Sequence, residues 1–129
     1  MSSSLVFRYR DGGHENVTDP GQVEPRIRQL VDGLCDEQFP RPDYEHADVY
    51  ISHPNGWSVS ASMNGEVSLE YWPMGVAPTR YQYGLSKEDL VQLFVMLAEG
   101  RIDEIQAMKW HDDRVHGKGD HYRASARFG

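Results

Sequence analysis

The stretch WHDDRVHGKGDHY, residues 110–122, concentrates the side chains most able to hold a cation: His111, Asp112, Asp113, His116, Asp120 and His121. Their spacing matches no zinc motif, and His116 and His121 lie in a glycine-rich run that only the metal itself would order. A solvated polar tail accounts for them better than a metal centre. Gly117-Lys118-Gly119 lacks the spacing and the preceding strand of a phosphate-binding loop. Ser58, Ser60 and Ser62 are two residues apart, as the pleat of a strand demands, with no nucleophile elbow and no local histidine to activate them. Cys35 closes an apolar helical stripe and reads as a small core residue rather than a nucleophile. A single cysteine also cannot supply the Cys-x-x-Cys zinc pair of a nucleobase deaminase. The residues therefore predict no catalytic set, no cofactor and no metal: a protein that is not an enzyme.

Composition narrows the class further. A chain of 129 residues with 39% hydrophobic and 26% charged content suits one domain with a modest core. No apolar run approaches the roughly 20 residues of a membrane span. Met1-Ser2-Ser3-Ser4 lacks the basic start and apolar stretch of a signal peptide. With one cysteine no internal disulfide can form, and a reducing cytoplasm is the expected location. The net charge is −7. Residues 11–48 carry ten acidic and three basic side chains, so their own net charge is also −7, whereas residues 111–129 are slightly basic. Such a chain is a poor direct ligand for nucleic acid, because phosphate repels it. It suits a basic protein partner, since complementary potentials speed encounter.

The elements that must position any site follow from periodicity. Leu5 to Arg10 alternates and reads as a strand, and DGGHEN after it as a turn or loop. Val23, Ile27, Leu30, Val31 and Leu34 share one helical face. Pro25 is tolerated in a first turn, which places the helix start at Gly21 to Glu24. DEQFPRPDYEH is a proline-broken connection. DVYISHPNGWSVSASMNGEVSLEYW then reads as a three-stranded meander. A two-residue Asn64-Gly65 loop would mix apolar and polar residues on both faces. A three-residue Met63-Asn64-Gly65 loop instead pairs Ala61 with Val67, Val59 with Leu69 and Trp57 with Tyr71, and keeps one face apolar. Gly65 takes the left-handed position of that turn. Pro54-Asn55-Gly56 repeats the device, setting Ile51 against Val59 and Val49 against Ala61. The other face carries Ser58, Ser60, Ser62, Ser68 and Glu70. Pro73 ends the third strand. Residues 73–85 are loop-like, with a short strand at Arg80 to Tyr83. In the next helix Ser86 is the N-cap, Leu85 and Leu90 form a staple, and Gly100 is the stop. Ile105 to Trp110 reads as a last strand, although Ile102, Ile105 and Met108 also fit helical turns. The predicted fold is α+β, a single domain with a mostly antiparallel sheet and two amphipathic helices on one face. The domain spans residues 1–110, and a mobile polar tail spans 111–129.

For a partner-binding site the distinctive material is acidic and aromatic. Asp32, Asp36, Glu37, Asp43 and Glu45 follow or end the first helix, and Tyr81 and Tyr83 alternate beside Arg80. Carboxylates of this density imitate the charge of a nucleic acid, and tyrosines supply large contact area at low entropic cost. These seven residues are the expected docking site, with the serine face and the C-terminal tail as competing surfaces.

The order of parts resembles the first-numbered immunity-protein family of bacterial polymorphic toxin systems. The features that carry the likeness are the glycine-turned NGWSVSASMNGEVSLEY and a helix–glycine close, AEGRIDEIQAMKW, ending in Lys109-Trp110. The similarity covers roughly residues 15–110. A proline common at the family's helix-to-strand junction is missing from RIDEIQ, and residues 111–129 have no counterpart. The resemblance implies a non-enzymatic antitoxin. It would bind and neutralise a secreted or contact-delivered toxin, often a nucleic-acid deaminase or nuclease, in the producing cell's cytoplasm. It transfers no site residue, because members use different surfaces for different toxins. The alternative is an intracellular adaptor or chaperone domain for a secreted effector.

Overall fold

The structure is a computed structural model in which residues 4–9, 13–34, 48–62, 65–71 and 78–112 are described. Its elements are β1 (Leu5–Arg8), β2 (His14–Val17), α1 (Pro20–Leu34), β3 (Asp48–Ser52), β4 (Trp57–Ser62), β5 (Val67–Tyr71), β6 (Arg80–Gln82), α2 (Lys87–Ala98) and α3 (Ile102–Gln106). The strands form one sheet in the order β2-β1-β3-β4-β5-β6, and every pairing is antiparallel. This is the α+β architecture expected from the sequence.

The meander has the predicted register. Val49 faces Ala61 and Ile51 faces Val59 between β3 and β4, while Ala61 faces Val67, Val59 faces Leu69 and Trp57 faces Tyr71 between β4 and β5. Both connections turn on a glycine with positive φ, +98° at Gly56 and +95° at Gly65, where a side chain would be strained. In the first turn the Gly56 N–H donates to the His53 carbonyl at 3.0 Å. In the second, the Gly65 N–H donates to the Ser62 carbonyl at 3.1 Å.

One face of this sheet is apolar; α1 and α2 pack on it, and α3 packs against α2. Phe7, Val49, Ile51, Val59, Leu69, Ile27, Val31, Leu90, Phe94, Leu97 and Ile105 belong to a single core cluster and are essentially inaccessible to solvent. α2 begins as predicted: the Asp89 N–H donates to the Ser86 hydroxyl at 3.0 Å, and Leu85 and Leu90 are buried beneath it. It ends in a Schellman arrangement. Gly100, at φ +74°, donates to the Leu97 carbonyl, and Arg101 donates to the Met96 carbonyl.

Three expectations need correction. His14 to Asn16, read as part of a loop, belong to β2, an edge strand paired along β1 from Leu5–Val17 to Arg8–His14. α1 starts at Pro20, ahead of the predicted window, so Pro25 falls in its second turn. The signal was present in Asp19-Pro20: Asp19 caps the helix by accepting from the Gly21 N–H at 2.9 Å, and proline suits the first helical position. Pro25 is tolerated because it and Gly21 are both exposed, which leaves the Gly21 carbonyl to water. Ile105 to Trp110 is not a strand. Ile102–Gln106 is helical, Ile105 is its buried anchor, and the Trp110 indole donates to the Ile105 carbonyl at 2.8 Å. Pairing resumes one residue later, where His111 and Tyr81 exchange backbone hydrogen bonds at 2.7 and 2.9 Å. Cys35, Trp72 and Pro73 lie outside the described residues, as does the C-terminal segment from Asp113. Among the described residues, no helix is long and apolar enough to cross a membrane.

Candidate functional site: the open face of the sheet

Alternation along each strand sends every second residue away from the helices. On that side one row runs across the whole sheet: His14, Arg8, Tyr50, Ser60, Ser68, Tyr81 and, past β6, His111. A second row holds Asn16, Val6, Ser52, Ser58 and Glu70. Between them Tyr50, Ser52, Ser58, Ser60 and Glu70 line a depression of about 370 Å³. The Tyr50 hydroxyl lies 3.4 Å from the His14 ring nitrogen, and the two rings meet edge to face at 6.2 Å. Arg8 sits between them in the register, and its Nε is buried without a hydrogen-bond partner. Asp48, Glu66 and Glu70 occupy positions of this face, so three carboxylates stand there against the one guanidinium among its described residues.

The predicted site residues are only partly brought together. Tyr81 lies on the open face opposite Ser68. Tyr83 follows at the end of β6; its hydroxyl donates to Glu66 at 3.1 Å, and its ring lies 5.8 Å from that of His111. Asp32 is elsewhere, in the helical layer, exposed and ion-paired with Lys87 at 3.2 Å. It joins α1 to α2, whereas Tyr81 lies on the opposite face of the sheet and Tyr83 lines a cleft beside Asp89 and Gln92 of α2. Asp36, Glu37, Asp43 and Glu45 lie outside the described residues. A second pairing joins the helices nearby: Arg28 donates two hydrogen bonds to Glu88, at 3.1 and 3.2 Å. That fork holds the Glu88 carboxyl below its ordinary range and raises the guanidinium.

Sequence reasoning missed Arg8, His14 and Tyr50 as members of one surface. Tyr50 could have been found from parity, because it alternates with Val49 and Ile51. His14 could not be joined to it while β2 was read as loop, and Arg8 meets Tyr50 only through the β1–β3 pairing of segments distant in sequence. The serines, by contrast, occupy the wet face that was expected, although Ser58 is 6% exposed and so nearly buried within it.

This surface is broad, polar and aromatic. Ser60 and Ser68 oppose each other with no histidine beside them in the register, and His14 is three strands away from Ser60. Among the described residues no group of three or more His, Cys, Asp or Glu side chains is placed to hold a metal ion. Compared with family models, with curated proteins and with solved structures, the chain matches none. Function must therefore be argued from the surface itself. It offers tyrosines with large contact area, small hydroxyls able to adapt their hydrogen bonds, and more carboxylates than guanidinium groups among its described residues.

Proposed function

We propose that the chain is an immunity protein, a non-enzymatic antitoxin that binds a cognate bacterial toxin with a basic surface and blocks its active or substrate-binding surface. The observation that carries this reading is the open sheet face. Six strands present Tyr50, Tyr81 and a field of serines on the side away from every described helix, with Asp48, Glu66 and Glu70 setting its charge. A toxin that acts on nucleic acid needs a basic surface to hold phosphate. A negative face steers such a partner, and its tyrosines anchor the docked state. Asp36, Glu37, Asp43 and Glu45, which precede β3 in the sequence, add to the chain's negative charge.

The experiment is rescue and kinetics with the product of the adjacent reading frame. Co-expression with this chain should restore growth to cells that the product kills. Glu70→Lys should slow association and weaken its salt dependence, and Asp36→Lys with Glu37→Lys should do the same. Tyr81→Ala should act on dissociation instead. A product that is harmless alone would sink the reading. So would rescue that survives all three changes with wild-type association rates at low salt.

A further inference from the structure

On the open face β4 contributes only small side chains. Ser58 and Ser60 form the floor of the depression of about 370 Å³, with Ser52 beside them on β3. Tyr50 flanks it from β3, opposite Ser60, and Glu70 flanks it from β5, opposite Ser58. Strands lie about 4.8 Å apart, so roughly 10 Å separates the two flanking strands. The Tyr50 hydroxyl reaches towards His14, away from β4, which leaves the floor uncovered. Ser58 is 6% exposed, and no hydrogen bond joins its hydroxyl, or those of Ser52 and Ser60, to another described residue. Unlike the Arg8 Nε and the Gln82 Nε2, none of these oxygens is shut off from solvent. Glu70 accepts from the Ser68 hydroxyl at 3.5 Å and has no ion-pair partner among the described residues. Arg8 stands one strand beyond Tyr50 and does not line the depression.

We propose that this depression receives an arginine side chain of the partner, its guanidinium paired with the Glu70 carboxylate and its stem lying along the Tyr50 ring. The inference rests on the reading of the open face as the toxin-binding surface, and it deepens that reading by naming the anchoring group. An ionised carboxylate only accepts hydrogen bonds, and a serine hydroxyl accepts as readily as it donates. The lining therefore suits a ligand rich in donors. A guanidinium has five N–H donors, carries a permanent positive charge and pairs with a carboxylate through two parallel bonds. Its flat face stacks on a tyrosine ring. The rival groups fit less well. A carboxylate or phosphate would meet Glu70 with like charge. An aliphatic side chain would strip water from hydroxyls that have no other partner. A lysine ammonium is a strongly hydrated point charge with fewer donors for the same set of acceptors.

The test titrates N-acetyl-arginine methylamide into the isotopically labelled full chain at low salt and follows it by NMR, with no toxin present. The backbone amides of Ser58, Ser60 and Glu70 should shift together. A nuclear Overhauser contact should join the probe's δ-methylene to the Tyr50 ring. The citrulline analogue keeps the shape and loses the charge, and its affinity should be lower by about fivefold or more. Glu70→Gln should weaken the arginine probe to a similar degree while the melting temperature holds, because Glu70 is partly exposed. If that variant misfolds, the comparison of arginine with citrulline on the wild type still decides. The inference is overturned if the wild type shows no shifts up to the probe's solubility, or if shifts appear only around other carboxylates such as Asp32 or Asp48. It is also overturned if the citrulline analogue binds as tightly, or if Glu70→Gln binds the arginine probe as the wild type does. N-acetyl-lysine methylamide binding as tightly as the arginine probe overturns it too, since the site would then read charge alone. Because the toxin takes no part, a depression that binds the probe stands even if no antitoxin activity is found. Association slowed by Glu70→Lys, with no probe shifts, leaves Glu70 as a steering charge, removes the arginine site and leaves the open-face reading intact.

Discussion

The two faces of this sheet are made by adjacent residues of the same strands, yet they do different physical work. Tyr50 and Ile51, Val59 and Ser60, Ser68 and Leu69 are chain neighbours, and in each pair the aliphatic member is essentially inaccessible while the other reaches the opposite side. The helical side concentrates the buried apolar contact that holds the chain together. The open side adds little to that core and can carry groups chosen for recognition. Mutations should therefore separate stability from binding according to the parity of the residue, not its place along the chain.

The strongest way to break this division is to attack the helical side. Phe94 is fully inaccessible at the centre of α2's buried stripe. Phe94→Ala should cost about 3–5 kcal/mol, from lost burial and the cavity left behind. Urea unfolding followed by circular dichroism would measure it, and a cost below about 1 kcal/mol would mean that the core is not where the division puts it.

The next effect is in the turn that fixes which residues face which side. Gly65 has φ +95°, a conformation that a β-branched residue opposes. Gly65→Val should destabilise by about 1–2 kcal/mol, read as a lowered melting temperature. An unchanged value would mean that the turn can relax without moving the strands.

The meander was legible because two signals agreed: a glycine at each left-handed position, and aliphatic residues at every second place on both sides of it. β2 lacked the second signal. His14, Glu15 and Asn16 are polar and only Val17 is buried, because an edge strand with one neighbour and little helical cover has few apolar positions to reveal it. α3 was ambiguous because one helical turn offers a single buried residue, Ile105, which fits either periodicity. The candidate surface was visible as serines but not as a surface. Its ends, His14 with Arg8 and Tyr81 with His111, are joined only by cross-strand pairing between distant segments.

A smaller effect tests the rim of the helical side. Glu88 is held below the ordinary carboxylate range first by its hydrogen bonds from Arg28. A carboxylate so depressed contributes stability that is present above its unfolded-state pKa and lost as pH falls through the folded one. The stability difference between wild type and Glu88→Gln should therefore exist at neutral pH, shrink on acidification below about pH 4, and weaken in high salt, because the pair is exposed. A difference that persists unchanged in acid would assign the effect to packing rather than charge.

The smallest expected effect is the sharpest test of the comparison. Ser60 and Ser68 face each other across β4 and β5 on the open side, one residue away from Val59 and Leu69 on the helical side. Replacing both serines by alanine removes two hydroxyls, that of Ser68 donating to Glu70 at 3.5 Å on the open side, and it leaves the ladder and the apolar face untouched. Unfolding free energy should change by no more than about 0.5 kcal/mol, as for most surface positions. Moving the same hydroxyl chemistry one residue along the chain, in Val59→Ser, puts an unpaired polar group in a closed core and should cost several times more. All three positions lie within paired strands away from the turns, so turn effects do not distinguish the variants. If the double alanine variant loses more than about 1 kcal/mol, the open face contributes to folding energy and stability no longer separates from binding by parity. If it keeps its stability but dissociates faster from its partner, the hydroxyls serve recognition alone.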